Sequence, residues 1–407
     1  MKEPLPTMSL NVIFDKVNHL WEAIVQATWF RHDVLIPFII SRAAMLLIIW
    51  AGQLFLPSFN APENGPLPFG ERLLYLFTMW DAGWYMSIIT DGYTPSADLT
   101  TIESNIAFFP VYPFLVRSFA LFLPHSLRTV PNLVVIGVVL SNLLFVGALA
   151  IIHRIVCAVT DNPEVARRTI FYLLIFPTSF YFSAFYSEAT YLFFVSLTIW
   201  AMWQRRWPLA GVLAGVAALS RPLGILLVGI LLWQYMYERR VNGRWTLRAI
   251  DYNIVWLGCA PAALTAYFLF QYQLTGDFFA PIAAQGAWGR EYAWPWQNLT
   301  IGWPIGTEGF YILRLNQIFL FAFTGLSLLV WRRLPFALAL FSLAHILPSL
   351  ASGSFDSAIR YCTVIFPVFI LLALWSDSRL WRQALVYIFL TLQTLLLAAW
   401  SQGYWVV

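Results

Sequence analysis

An acidic residue set among aromatic side chains is the first feature of this sequence that could do chemistry. Asp81 lies within Trp80-Asp81-Ala82-Gly83-Trp84-Tyr85, and residues 70–90 are predicted to form an amphipathic helix. Trp and Tyr favour a membrane–water boundary, which would place Asp81 at the level of the lipid headgroups. A carboxylate partly removed from water there gains proton affinity and suits a general base. The alternative is an ordinary interfacial helix with one solvated aspartate.

A second acidic residue follows a run of hydroxyl groups in the segment 177–188. Ser183, Tyr186 and Ser187 are expected on one side of a helix, with Glu188 directly after them. Hydroxyls beside a carboxylate suit a sugar or a polar headgroup, so the three are sugar-binding candidates and Glu188 is a second catalytic candidate. The alternative is hydrogen bonding between helices, which Ser and Tyr commonly provide.

Three arginines, Arg221, Arg290 and Arg360, lie in the same poorly charged outer segments as the acidic residues. A guanidinium group holds a phosphate by charge-assisted and often bidentate hydrogen bonds, so these are phosphate-binding candidates. Each could instead anchor a lipid headgroup, and Arg360 could pair with the nearby Asp356. Arg42 lies within the first apolar run, where a charge is costly unless it faces other helices, and it is assigned no role.

Further polar and aromatic residues accompany these groups. Tyr361 follows Arg360 and is counted with the arginines as a phosphate-binding candidate. The remaining candidates for binding a sugar or a polar headgroup are Trp80, Asn105, Tyr112 and Trp288. No metal site is predicted, because Cys157, Cys259 and Cys362 lack the spacing of a zinc site or of a disulfide framework.

The composition indicates which solvent surrounds these residues. Of 407 residues, 60% are hydrophobic and 11% are charged, against about 45–50% and about 25% in soluble domains. So much apolar surface requires lipid as solvent, and backbone polar groups cannot stay unpaired in lipid. The chain is therefore predicted to be an all-α polytopic membrane protein. Its formal charge of +4, without a basic tract, argues against nucleic acid as a partner.

Apolar runs predict about ten to twelve membrane segments in a single domain, residues 1–407, without an internal repeat. The runs fall near 34–57, 132–156, 169–186, 189–204, 208–220, 222–237, 252–274, 311–331, 335–350, 359–375 and 381–400. Residues 106–123 are the segment that fits least easily, because they carry Pro110 and Pro113. They either span the membrane or form a re-entrant helix of half depth, which would line a cavity.

The distribution of basic residues orients the chain, since cytoplasmic loops carry an excess of Lys and Arg. Basic clusters near 167, 205, 239–248, 332 and 379 alternate with poorly charged turns. This pattern places residues 1–33, an amphipathic N-terminal segment, in the cytoplasm and the loops 58–105 and 275–310 outside. The N-terminal segment lacks the features of a cleaved signal peptide, so the first span is expected to anchor the chain.

In order along the chain, these segments resemble a mannosyltransferase family. That family includes the eukaryotic transferase of the second GPI mannose (phosphatidylinositol-glycan class V type) and its bacterial relatives. The matching stretches are Ser41-Arg42, Trp80-Asp81-Ala82, Asn105 through Pro113, Ser183 through Glu188, Ser220-Arg221-Pro222-Leu223-Gly224 and Trp288-Gly289-Arg290. Eukaryotic members tend to show Ser-Asn-Gly after the arginine, where this chain has Pro-Leu-Gly.

The resemblance implies a GT-C type glycosyltransferase bundle with an active site on the outer side of the membrane. It also implies an inverting transfer of a hexose, typically mannose, from a polyprenyl-phosphate donor to a lipid or glycolipid acceptor. No nucleotide or redox cofactor is implied. A carboxylate of the first outer loop is the base in such folds, and Asp81 occupies that position. We expect a monomeric enzyme of a bacterial inner membrane.

A lipid or sugar transporter, or a flippase, is the main alternative, because such proteins also have many spans with polar breaks. Transporters often carry internal repeats with interrupted helices in corresponding halves. This sequence shows no such repeat, and its longest polar segments fall on one side, which favours an enzyme. A structural subunit of a membrane complex is the third alternative, favoured only if Asp81 proves dispensable.

The predicted topology can be tested by accessibility. Cysteines introduced at positions 62 and 298 should both react with a membrane-impermeant thiol reagent added from outside, because both loops are predicted to be extracytoplasmic. Reaction at one of the two positions without the other would contradict this orientation.

Overall fold

A computed structural model describes residues 28–57, 69–240, 244, 250–290, 293–294 and 310–406 of the chain. These residues fold into helices joined by turns and short loops. The α-helices are α1 (Phe30–Phe55, with a π-helical start), α2 (Phe69–Phe77), α3 (Ala82–Thr90), α4 (Val111–Ala120), α5 (Val130–Thr160), α6 (Pro163–Ile175), α7 (Glu188–Trp203), α8 (Trp207–Ser220), α9 (Leu227–Glu238), α10 (Cys259–Thr275), α11 (Phe310–Val330), α12 (Phe336–Leu350), α13 (Ala358–Cys362), α14 (Phe366–Trp375) and α15 (Arg379–Trp400). Short 3-10 segments include Asn105–Ala107, Ser179–Ser183, Pro222–Leu226, Tyr252–Gly258 and Ala284–Trp288.

Five stretches of the described chain are helical, long and apolar enough to cross a membrane. They are α1, α5, Tyr252–Thr275, Tyr311–Val330 and α15. Shorter apolar helices are Trp207–Ser220, Pro222–Glu238, Phe336–Leu350 and Phe366–Trp375. The outer helices present bare aliphatic side chains, such as Ile40 at 62% and Leu47 at 64% exposure on α1, which suits contact with lipid. The prediction of a helical, multi-pass membrane protein is confirmed.

The centre of the bundle is formed by helices buried on nearly all sides, chiefly α7 and α14. Helix α5 approaches α7 and the segment before it closely because it has glycines at these contacts. A Cβ atom on Gly137 would lie 2.3 Å from the ring of Phe185, and one on Gly147 would lie 2.7 Å from the ring of Phe193. Small residues of this kind let helix backbones pack closely in membranes, where apolar side chains gain little from leaving lipid.

The single amphipathic helix predicted for residues 70–90 is wrong, because the structure divides it into α2 and α3. The break falls at residues 78–81, where Trp80 has a left-handed backbone (φ +60°). The hydroxyl of Tyr186 donates a hydrogen bond to the carbonyl of Met79 at 2.8 Å. That carbonyl is thereby satisfied outside the helical ladder, and the chain turns so that Asp81 stands at the start of α3.

The expectation that Ser183, Tyr186 and Ser187 share one helical face is also wrong. Helix α6 ends at Ile175, because Pro177 disfavours helical backbone in the residue before it. The chain then forms the 3-10 segment Ser179–Ser183 and a non-helical stretch, and α7 begins only at Glu188. The three hydroxyl groups therefore point to different neighbours.

The segment 106–123 contains the short helix α4, whose ten residues extend about 15 Å at 1.5 Å per residue. That is roughly half of the hydrocarbon thickness of a bilayer. The length fits the re-entrant alternative rather than a full span.

Parts of the two predicted outer loops, 58–105 and 275–310, lie outside the described residues, and so do positions 62 and 298 and most of the N-terminal segment 1–33. The described parts of the two loops meet at one end of the bundle. The side chain of Gln285 donates to the carbonyl of Ala107 at 3.2 Å, and the rings of Trp84 and Trp288 are 6.0 Å apart.

Candidate active site

A polar cavity of about 210 Å³ opens at this end of the bundle. Its walls come from the start of α3, the start of α7, the turn after α8, the end of α12 and helix α13. The charged or hydrogen-bonding side chains that line it are Asp81, Tyr85, Glu188, Ser220, Arg221, Gln285, Trp288, Arg290, Ser349, Ser352, Arg360 and Tyr361.

Four charged side chains form a continuous ionic chain in the cavity. Nη2 of Arg360 donates to Oδ2 of Asp81 at 2.8 Å, and Nε of Arg360 lies 3.3 Å from Oε1 of Glu188. The same Oε1 lies 2.7 Å from Nη1 of Arg221. The side chains of Glu188 and Arg360 are only 2% and 6% exposed, whereas that of Asp81 is 26% exposed. Of the two carboxylates in this ionic chain, Asp81 is therefore the one that a ligand can reach more easily.

Arg221 is held in place by the backbone turn on which it lies. Arg221 follows the last residue of α8 in an extended conformation, and Pro222–Leu226 folds back over the helix end. A Cβ atom on Gly224 would lie 2.3 Å from the backbone nitrogen of Ala218. The glycine of the Pro-Leu-Gly sequence is thus required by this close approach, and it is the position shared with the eukaryotic Ser-Asn-Gly pattern.

Arg360 projects from the five-residue helix α13, which is fastened to two other helical segments. The backbone N–H of Ile359 donates to the side chain of Asn316 on α11 at 2.8 Å. The hydroxyl of Thr178 donates to the carbonyl of Ile359 at 3.2 Å. These two bonds fix α13 and therefore the direction in which Arg360 enters the cavity.

Arg290 differs from the other two arginines in its partners. It donates to Oε1 of Gln285 at 2.9 Å and to the hydroxyl of Tyr361, both uncharged groups. It forms no ion pair with a carboxylate among the described residues. Its positive charge is therefore the one most available to an anion, and the ring of Tyr361, 5.4 Å from the guanidinium carbon, supports it from one side.

Two carboxylate oxygens of the cavity have no protein donor within the described chain: Oδ1 of Asp81 and the fully buried Oε2 of Glu188. Buried polar atoms are normally paired, so Oε2 of Glu188 requires a donor from a bound molecule or water. The cavity also has three arginines for two carboxylates, an excess of one positive charge. It can thus accept both an anionic group and a group rich in hydroxyls.

The cavity brings together all the predicted catalytic and donor-binding residues and one of the predicted sugar-binding residues. Those that line it are Asp81, Glu188, Arg221, Arg290, Arg360, Tyr361 and Trp288. The structure pairs Arg360 with Asp81 rather than with Asp356. Asp356 lies in the turn before α13, where burial raises the pKa of its carboxyl and the charge of Arg290 opposes that rise.

The other predicted sugar-binding residues do not line the cavity, and most of them support its walls. Asn105 accepts from the backbone N–H of Thr94 and donates to Ser87 and to the carbonyl of Gly92. Tyr112 is buried against Ser141, and Trp80 is 42% exposed on the outer surface.

The hydroxyls of the segment before α7 have structural partners as well. Ser183 accepts from Arg42 at 2.7 Å and donates to Asn142 at 2.7 Å. Ser187 accepts from the hydroxyl of Tyr85 at 2.7 Å, and Tyr186 holds the carbonyl of Met79. Arg42, to which the sequence gave no role, therefore anchors the segment that leads to Glu188.

Several lining residues were not among the predicted site residues. Three of them lie close in the sequence to predicted site residues, namely Tyr85, Gln285 and Ser220. That closeness was the sequence signal that could have identified them as lining the cavity. Ser349 and Ser352, at the end of α12, had none, because serines are common in helical bundles and no charged residue marks that turn. Among the described residues, no group of three His, Cys, Asp or Glu side chains is arranged to hold a metal ion.

Comparison with known proteins gives a matching family, related sequences and similar solved structures. The sequence profile of the family described as "Mannosyltransferase (PIG-V)" matches residues 67–339. GPI alpha-1,6-mannosyltransferase 2 of Mus musculus is 33% identical over 185 residues, which are 44% of this chain and 35% of that protein. The Rattus norvegicus enzyme is 32% identical over the same shares. The match thus spans about a third of the length of these relatives.

Among solved structures, the chain is similar to the oligosaccharyltransferase of Archaeoglobus fulgidus in its apo form. The identity is 14% and the TM-score 0.47, over 94% of this chain and 57% of that one. The complex of the same archaeal enzyme with an inhibitory peptide and a dolichol-phosphate matches with 15% identity and a TM-score of 0.47, over 93% and 56%.

The ionic chain predicts a large stability effect for Arg360. Replacing Arg360 by Met leaves Asp81 and Glu188 without their shared cation, and removing one partner of a buried pair costs about 3–5 kcal/mol. We expect a clearly lower thermal unfolding midpoint in detergent. The control is Arg167→Met, since the Arg167–Glu164 pair is 58% and 40% exposed and an exposed pair contributes under about 1 kcal/mol. Equal losses in the two variants would contradict this reading of the cavity.

Proposed function

The chain belongs to the PIG-V mannosyltransferase family, and we propose that it transfers mannose from a polyprenyl-phosphate donor to a lipid or glycolipid acceptor. A transporter or flippase is disfavoured by this family membership, and the bundle is a membrane glycosyltransferase. The observation that carries the finer proposal is the cavity itself. One reachable carboxylate and one arginine without a carboxylate partner among the described residues line the same small space.

The donor phosphate is proposed to bind at Arg290. Its guanidinium group forms no ion pair with a described carboxylate, and the excess of one positive charge in the cavity favours an anion. Arg221 and Arg360 are already paired with carboxylates, so they add to the positive field without offering an uncompensated charge. The ring centre of Tyr361 lies 5.3–5.5 Å from the guanidinium carbons of all three arginines.

Asp81 is proposed as the base. Arg360 occupies its Oδ2, which orients the carboxylate, while Oδ1 is left to accept the proton of the acceptor hydroxyl. In an inverting transfer the acceptor oxygen forms a bond to the anomeric carbon as the bond from that carbon to the phosphate oxygen breaks. The proton passes to Asp81, and the negative charge of the leaving phosphate is stabilised by Arg290.

Glu188 is proposed to bind the sugar rather than to take a proton. Arg221 and Arg360 both contact its Oε1, so this oxygen is already occupied. The unpaired Oε2 is then available to accept a hydrogen bond from a sugar hydroxyl. Trp288, on the same wall, offers an aromatic face to the ring of the sugar.

The reaction is proposed to take place on the extracytoplasmic side of a bacterial inner membrane. Basic and poorly charged loops alternate along the chain, and cytoplasmic loops are the ones that carry an excess of Lys and Arg. The cavity lies at the end of the bundle away from the basic turns near 167 and 379, because α6 starts at Pro163 and leads toward the segment that carries Glu188.

The main test combines the substrate assay with one substitution. Purified protein given labelled polyprenyl-phosphate-mannose and total membrane lipid should transfer label to a lipid. Asp81→Asn keeps the size of the side chain and an oxygen for Arg360 but cannot take the proton, so turnover should fall by about 10²–10⁴-fold while donor binding survives.

Asp91→Asn is the matched control, because Asp91 lies at the exposed end of the same helix, outside the cavity. No transfer by the wild type with any membrane lipid would count against the donor. Turnover of Asp81→Asn within a few-fold of the wild type would remove Asp81 from the mechanism without touching the donor assignment.

The role of Arg290 predicts a loss in donor affinity. Arg290→Ala removes a charge-assisted contact worth about 1.5–3 kcal/mol, roughly a 10- to 150-fold weaker donor Kd. Arg290→Lys should recover only part of this, because the planar fork is lost. Arg117→Ala, an exposed arginine on α4, serves as the control. Unchanged donor affinity in Arg290→Ala would place the phosphate elsewhere.

A further inference from the structure

A second cavity, of about 320 Å³, lies far from the first, between α6 and α15. It shares no residue with the candidate active site. The residues that line it are Arg168, Phe171, Tyr172, Arg382, Gln383, Val386 and Tyr387. We call this space the α6–α15 groove.

The α6–α15 groove has two arginines at its mouth and a mainly apolar interior. Arg168 and Arg382 lie near the starts of α6 and α15. Further along, Gln393 of α15 donates to the carbonyls of Leu174 and Phe176 at the end of α6. The two helices therefore run in the same direction away from the mouth of the groove. Phe171, Tyr172, Val386 and Tyr387 lie about one turn beyond the arginines, roughly 6 Å deeper. A molecule with an anionic end and an apolar length therefore fits the groove.

The two arginines at the mouth differ in the charge they have to offer. Arg168 is bound by Glu164 at 3.0 Å and by Asp377 at 2.8 Å. Arg382 is half-buried at the mouth, and no described residue forms an ion pair or a side-chain hydrogen bond with it. A guanidinium group in that position has a phosphate as its natural partner.

The hydroxyl of Tyr172 is the second observation that points to a ligand. Tyr172 is 1% exposed, and its hydroxyl has no hydrogen-bond partner within the described residues. Leaving a buried hydroxyl unpaired is costly, and native structures rarely do so. The groove offers the space in which an acceptor for this hydroxyl could lie.

We propose that the α6–α15 groove binds one anionic glycerophospholipid, with its phosphate on Arg382 and an ester carbonyl accepting a hydrogen bond from Tyr172. In such a lipid the glycerol ester lies closer to the bilayer centre than the phosphate does. Tyr172 likewise lies deeper in the groove than the two arginines. The acyl chain then lies over Phe171 and Val386. Basic pockets between spans on the cytoplasmic side are known to bind anionic headgroups, and the turns near 167 and 379 carry the basic residues predicted to face the cytoplasm. The inference does not depend on the mannosyltransferase reaction.

Native mass spectrometry of the full-length protein in detergent tests the phosphate contact. The added lipids are phosphatidylglycerol and phosphatidylcholine of the same acyl chains. We expect one phosphatidylglycerol to be retained in preference to phosphatidylcholine, and Arg382→Gln to weaken its retention by about tenfold or more. Arg333→Gln, an exposed arginine in another basic turn, should have no such effect. Equal retention of both lipids, or equal effects of the two substitutions, would overturn the assignment.

An ether-linked phosphatidylglycerol tests the ester contact and also covers the case in which Arg382→Gln fails to fold. Tyr172→Phe should weaken the ester lipid by about 3- to 10-fold, as expected for one neutral hydrogen bond. It should leave the ether analogue unchanged, because that lipid has no carbonyl to lose. The same effect of Tyr172→Phe on both lipids, or none on either, would show that Tyr172 does not contact the ester.

Discussion

The ion pair between Arg360 and two carboxylates is the constraint on which the candidate site depends. A guanidinium group that is 6% exposed inside an apolar bundle is costly unless it is neutralised and hydrogen-bonded. Asp81 and Glu188 supply the compensation, and they reach it from the starts of two different helices, α3 and α7. The elements that carry these three side chains must therefore meet at one point, and the cavity is the space left around that point.

The hydroxyl groups near the cavity are occupied by hydrogen bonds within the protein, because buried polar groups need partners just as buried charges do. In a bundle surrounded by lipid, backbone groups at helix breaks have to find partners within the protein. Tyr186 satisfies the carbonyl of Met79, and Ser183 joins Arg42 to Asn142. These side chains hold the breaks that bring Asp81 and Glu188 into the cavity. Residues that look in the sequence like a sugar-binding surface thus act one layer behind the surface that a sugar could touch.

Much of the architecture was predictable because long apolar runs in the sequence coincide with helices in the structure. The run 132–156 lies within the helix Val130–Thr160, and the run 381–400 coincides with Arg379–Trp400. The charged residues of the cavity were predictable because charges in an apolar chain need a reason to be there. The helix breaks were not predictable, since the carbonyl of Met79 at the break is held by a hydroxyl 107 positions later in the chain. The partner of Arg360 was missed for the same reason. Asp356 is close in sequence, whereas Asp81 is close only in the fold.

The pairing of Asp81 with Arg360 also limits the chemistry that the cavity can support. The guanidinium group of Arg360 holds one oxygen of Asp81, so only the other oxygen is left to accept a proton. A base of this kind suits a step whose leaving group departs readily, because little proton transfer is then needed to drive it. A sugar bound through phosphate meets that condition, and a sugar bound to a plain alcohol does not. The ion pair, the uncompensated charge of Arg290 and a phosphate-linked donor therefore belong to one consistent mechanism under the proposed function.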